Sequence, residues 1–168
     1  MNKKEVIYAF IDSQNLNLGI RAQGWRLDFI KFRKYLLEKY KISKAFLFIG
    51  YIKSNNKLYD FLTKASYYLI FKQVINVKNK IKGNVDAELI VWTMQSIYEK
   101  HCDVAIIVSG DGDFSILADF LLTKNKLKKF IVPNKNTMSI LLKKVFIKHR
   151  RIELFDFLND KKEKLLKR

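Results

Sequence analysis

The chain is short of the residues that several chemistries require. It has one cysteine, Cys102, which excludes an intrachain disulfide and a cluster of thiolate metal ligands. Its two histidines, His101 and His149, stand in no metal-ligand spacing and read as surface or structural residues. One proline and six glycines leave no evident linker, and no repeat or low-complexity tract interrupts the sequence. No apolar run is long enough to span a bilayer. The opening Met1-Asn-Lys-Lys-Glu5 passes straight into a strand-like run, with neither an apolar leader core nor a cleavage site. Together these absences point to a cytoplasmic protein without a membrane partner.

Acidic residues are also scarce. The 168 residues hold 33 Lys and Arg against 16 Asp and Glu, a formal net charge of +17. A field of that size draws in polyanions, of which nucleic acid is the commonest. The plainer alternative is a compositional bias toward Lys, alongside many Asn, Ile, Phe and Tyr. Self-repulsion makes so large an excess costly, which favours a basic surface with a use. A hydrophobic fraction of 49% supports a sizeable core in a single domain, expected over residues 1–158, with a basic tail at 159–168.

Strand-like and helix-like patterns alternate. Strands are expected at 6–11, 45–51, 68–74, 104–108 and 129–132, the third alternating as an edge strand would. Helices are expected at 29–40 with Asp28 as cap, from Asn55 or Asn56 to about residue 66, and at 86–99, 114–123 and 138–146. Residues 152–158 form an ambiguous last element. Such alternation predicts an α/β fold with a mainly parallel sheet of about five strands covered on both faces.

The few acids stand in particular places. Asp12 ends the run Val6-Ile-Tyr-Ala-Phe-Ile11, and Asp86 opens a helix-like run. The buried-looking run Val104–Val108 breaks into Ser109-Gly-Asp-Gly-Asp113. Small residues permit a tight turn there, and parallel strands carry ligands at their carboxyl edge. Asp12, Asp86, Asp111 and Asp113 are therefore the candidate catalytic and metal-binding residues. Carboxylates alone suit a hard cation, Mg²⁺ or Mn²⁺. Each has a plainer role too: an Asx turn for Asp12, a favourable helix start for Asp86, a cap for one of the last pair. Asn15 would orient Asp12, contact a phosphate or cap a helix; Ser109 would bond a phosphate or make the turn.

Three segments, Ile11-Asp-Ser-Gln-Asn-Leu16, Lys82-Gly-Asn-Val-Asp86 and Ser109-Gly-Asp-Gly-Asp-Phe114, resemble in order and spacing the motifs of NYN domains, specifically the LabA-like branch, relatives of the PIN-domain nucleases. The resemblance covers residues 5–147, and its third motif is the most specific. It implies a Rossmann-like (PIN-like) three-layer sandwich and a metal-dependent ribonuclease site. The chain departs from that pattern where LabA-like proteins commonly carry another acid, about two helical turns beyond Asp86: Trp92 or Thr93 stands there. Glu88 or Asp103 would have to compensate, and Glu88 points to a different helix face from Asp86. A further acid near the C-terminal helix is replaced by the region of Lys143, Lys144 and Phe146.

Basic residues near the motifs are candidates for holding a phosphate backbone: Arg21, Arg26, Lys53, Lys57, Lys80 and Lys82, with Lys78 beside them. Tyr51 or Trp25 would stack an unpaired base. Lys143, Lys144, Lys148, Arg150 and Arg151 make a second patch. The expected function is endonucleolytic hydrolysis of single-stranded or structured RNA. Its rivals are a non-catalytic RNA-binding module of the same fold and a hydrolase of small phosphoesters. The apolar Trp25, Tyr67 and Tyr68 read as core or as an interface, which leaves a homo-oligomer open.

Overall fold

A computed structural model describes residues 4–72, 75–77, 80–82 and 85–167. In chain order the elements are β1 (Ile7–Asp12), α1 (Ser13–Arg21), α2 (Phe29–Tyr40), β2 (Lys44–Gly50), α3 (Asn56–Lys64) and β3 (Tyr68–Lys72). There follow β4 (Ile75–Val77), β5 (Lys80–Lys82), α4 (Val85–Tyr98), β6 (Val104–Val108), α5 (Ser115–Thr123), β7 (Leu127–Val132), α6 (Ile140–Lys148), β8 (Phe155–Phe157) and α7 (Lys162–Leu165).

Six strands form one parallel sheet in the order β3-β2-β1-β6-β7-β8, one more strand than the sequence pattern suggests. β1 and β6 are central and buried along their whole length, which is why they read as unbroken apolar runs. β3 is an edge strand, in keeping with its alternation. The additional strand, β8, has three residues, too few for a periodic signal. β4 and β5 pair antiparallel as a separate two-stranded unit between β3 and α4.

The pleat sorts side chains to two faces. Ile7, Ala9 and Ile11 of β1 pack with α1, α2 and Leu62 of α3; Tyr8 and Phe10 pack with Leu89 of α4 and the buried faces of α5 and α6. The result is a three-layer α/β sandwich. Trp25 and Tyr67 belong to the first core, while Tyr68 on the edge strand is half exposed. Asp28 caps α2, its carboxylate accepting from the Lys31 amide at 3.0 Å. Of the segment expected as a tail, residues 162–165 are helical, and Leu165 is buried in the first core. None of the described helices is long and apolar enough to cross a membrane.

This strand order places the crossover between β1 and β6. In open parallel sheets the connections on either side of such a point depart to opposite faces and leave a crevice at the carboxyl ends. Asp12 ends β1, and the Ser109–Asp113 loop follows β6.

Candidate active site

Asp12 is the last residue of β1 and the N-cap of α1. Its Oδ1 accepts from the Asn15 amide at 3.1 Å and its Oδ2 from the Ser109 hydroxyl at 3.1 Å. Burial raises its pKa above the usual carboxylate value; the bonds from Asn15 and Ser109 oppose that rise and the nearby Asp111 adds to it. Ser109 is fully buried and also accepts from the Asp111 amide at 3.2 Å, so its hydroxyl is spent on the turn rather than presented to a substrate. Asn15 accepts from the Gly110 amide at 2.7 Å and thereby ties the start of α1 to the loop after β6.

That loop turns twice in quick succession. Asp111 caps a short 3-10 helix, Gly112–Phe114, by accepting from the Asp113 amide at 3.1 Å. Phe114 anchors the turn in the core. Gly112 faces Ser139, leaving no room for a Cβ, and the Ser139 amide bonds Gly110 O at 3.0 Å. The N-terminus of α6 therefore braces the loop from below.

Asp86 enters from α4, where the first-turn position favours its negative charge. Asp86, Asp111 and Asp113 each offer a carboxylate oxygen, all within 4.8 Å of one another. Asp12 lies beside this triad but outside that distance group. The crowding has an electrostatic signature. Burial, then repulsion from Asp12, Asp111 and Asp113, pushes the Asp86 carboxyl up to about 6, while Lys72 pulls it down. Three hard oxygen donors this close, in a site that penalises their negative charge, match the needs of a divalent cation.

With this geometry, the sequence profile of the NYN domain matches residues 7–153. The chain belongs to the NYN domain family. The NYN domain carries a PIN-like nuclease fold, and the acidic triad of this chain lies at that fold's sheet edge. A crystal structure of a protein of unknown function from Vibrio parahaemolyticus has the same fold, with a TM-score of 0.77 over 99% of each chain at 21% identity. No curated protein matches this NYN domain.

The basic residues divide. Lys53 and Lys57 are exposed just past the carboxyl end of β2, on the side of the triad. Lys78 lies outside the described residues, as do the side chains of Lys80 and Lys82. Arg21 ends α1, about 13 Å along that helix from Asp12. Arg26 sits by the C-terminal segment, its carbonyl bonded to the Lys167 amide at 2.9 Å. In the second patch, Lys148 pairs with Asp119 at 3.0 Å and Arg151 with Glu153 at 2.7 Å.

Several expectations are corrected. Trp25 is buried and cannot stack a base, whereas Tyr51 is 47% exposed and can. Asp103 cannot replace a missing acid: it precedes β6, at the opposite edge, and its carboxylate accepts from the Val6 amide at 2.7 Å. Thr93 is buried and bonds Leu89 O within its own helix. Trp92 packs against Phe46 and Phe48, with ring centroids 5.7 and 6.4 Å away. Lys72 is the residue that sequence reasoning passed over. Lys72 is the last described residue of β3, at the carboxyl edge, and Val74, the expected end of that strand, lies outside the described residues.

Proposed function

We propose that this chain is a single-domain, metal-dependent endoribonuclease of the LabA-like branch, which hydrolyses RNA phosphodiester bonds at the Asp86–Asp111–Asp113 cluster. The observation that carries the reading is the packing of three carboxylates within 4.8 Å at the crossover of a chain whose net charge is +17. A cluster of negative charge in a positive protein suits a cation held against a polyanion. Membership of a PIN-like nuclease family supports the same reaction.

Asp86, Asp111 and Asp113 would hold Mg²⁺ or Mn²⁺, with the Asp12 carboxylate beside them. When bound, the cation neutralises phosphate charge and lowers the pKa of a coordinated water. The chain's own groups do the positioning. Ser109 and the Asn15 amide fix the Asp12 carboxylate, and Asn15 Oδ1 fixes Gly110. Lys53 and Lys57 would bind flanking phosphates, and Tyr51 an unpaired base. Arg21 and the Lys80–Lys82 hairpin strand would extend that track.

Trp92 favours a second reading, an RNA-binding module that has lost turnover, because an indole occupies the place of a family acid and lies on the aromatic floor of α4. Incubating labelled mixed-sequence RNA with Mg²⁺, Mn²⁺ or EDTA separates the two. The nuclease cuts with either metal and stops in EDTA. Retained binding without cutting in any condition establishes the module.

A further inference from the structure

Lys72 is 6% exposed, and its Nζ has no hydrogen-bond partner. An ammonium carries three donors, and buried lysines are rare unless paired. The buried polar groups nearby behave otherwise: Asp12 and Ser109 have their partners within the loop. Lys72 is thus the unsatisfied polar group of this region among the described residues.

Register shows where it points. Asp12, Phe48 and Ile70 form one row across β1, β2 and β3, on the face covered by α4. Two residues further along, on that same face, Lys72 stands opposite Gly50. Glycine places no side chain between Lys72 and the site in that row. The ammonium attracts the Asp86 carboxylate, which puts it at the rim of the acidic cluster. A donor set that is buried beside a cation site, yet bonded to nothing, is arranged for an acceptor that arrives with the substrate.

The surroundings indicate which acceptor. The Tyr51 amide bonds Lys72 O at 3.4 Å, and the Tyr51 ring stacks on Tyr59 with centroids 5.8 Å apart. Tyr59 is locked by its hydroxyl to Gly50 O at 3.0 Å and the Ile52 amide at 2.7 Å. That pair also packs edge-on against Phe71, at 5.5 and 4.8 Å, so it lies on the sheet face opposite Lys72 and flanks the same carboxyl edge. An ammonium next to carboxylates that would hold a cation suits an anionic oxygen carried in with that cation, and a phosphate offers one.

We propose that Lys72 is a catalytic residue whose ammonium donates to a non-bridging oxygen of the scissile phosphodiester. The proposal rests on the nuclease reading for the word scissile, but not for the phosphate contact itself.

The test compares the parent with Lys72→Met, which keeps the stem and removes the charge, and with Lys72→Arg. Binding of a short labelled oligouridylate is followed by fluorescence anisotropy in EDTA over a KCl series, and single-turnover cleavage is followed in Mn²⁺. Lys72→Met should bind about tenfold more weakly and lose about 0.7 from the log–log salt slope, the share of one single-strand phosphate contact. Its cleavage should fall about a hundredfold, with Lys72→Arg between it and the parent. A folded Lys72→Met with parental affinity and slope overturns the proposal. Should that variant fail to fold, the Lys72 ammonium resonance of nitrogen-labelled parent decides: it shifts when oligonucleotide is added, or the proposal fails. A parent that binds but does not cut sinks the nuclease reading alone, and the binding arm still judges Lys72. A parent that binds no oligonucleotide overturns both.

Discussion

Asp86 bears the electrostatic cost of the cluster. Its folded-state pKa, about 6, lies above the ordinary carboxylate value of 3.8, so the folded protein takes up a proton there before the unfolded chain does. The cost is fully present above pH 6 and is relieved as pH falls toward 3.8. In EDTA at neutral pH, Asp86→Asn should raise the melting temperature, by an amount equivalent to about 1 kcal/mol after allowance for solvent screening. Mn²⁺ should stabilise the parent by about 2.7 kcal/mol at a hundred times its dissociation constant and leave Asp86→Asn little changed. Differential scanning fluorimetry reads both. Asp156 has the opposite sign. Burial would raise its pKa, but the bonds from Tyr35, Tyr40 and Lys39 outweigh that and hold it below the usual value. Its contribution is present above pH 3.8 and lost as pH falls through the lower folded-state value. Asp156→Ala strands both phenol hydroxyls and should cost about 1–3 kcal/mol at neutral pH, with a shallower acid limb in urea titrations. The acids of the site were legible in the sequence because each stands at the boundary of an apolar run: Asp12, Asp111 and Asp113 just after one, Asp86 just before one. Lys72 was not, because a lysine on an edge strand reads as a solvated one, and only its register opposite Gly50 shows which face it takes.

Elements with a strong periodic signal lie close to where the sequence puts them. α2 spans Phe29–Tyr40 with Asp28 as its cap, as the capping pattern predicts. α1 escaped notice because it buries little: of its nine residues only Ser13, Leu16 and Ile20 are buried, and Asn15, Asn17 and Gly19 weaken the helical pattern. β4, β5 and β8 are three residues each, shorter than any alternation can reveal. α1 nonetheless carries Asn15, so its seating matters to the site. Gly19 provides that seat: a Cβ there would lie 2.8 Å from Pro133 Cβ, after β7. Gln23 fastens the same contact by donating to Pro133 O at 2.8 Å. Gly19→Ala should therefore push α1 off the β7 loop and cost about 1–3 kcal/mol despite alanine's better helix propensity, read as a lower urea midpoint at unchanged m-value.

At the scale of the whole molecule, a cluster of three carboxylates stands in a chain of net charge +17. Alternating patterns were enough to read the parallel sheet, and composition was enough to read the field. Neither reveals which lysines face the crevice, because a solvated lysine and a phosphate-binding one look alike in sequence. Folding separates them: Lys53 and Lys57 lie past β2 on the side of the triad, whereas Lys148 is paired with Asp119 on α5. If the field serves RNA, affinity must fall linearly on a log–log salt plot, by about 0.7 for each phosphate engaged. Isothermal titration over a KCl series measures this, and Lys53→Ala with Lys57→Ala should each remove about one contact from the slope without favouring any base. The most direct test of the central claim is single-turnover cleavage of labelled RNA in Mn²⁺ by the parent and by Asp111→Asn, at protein concentrations that saturate binding for both. The parent should cut, and the variant should lose about a hundredfold or more at equal RNA occupancy. Equal cutting by the two proteins would contradict that claim.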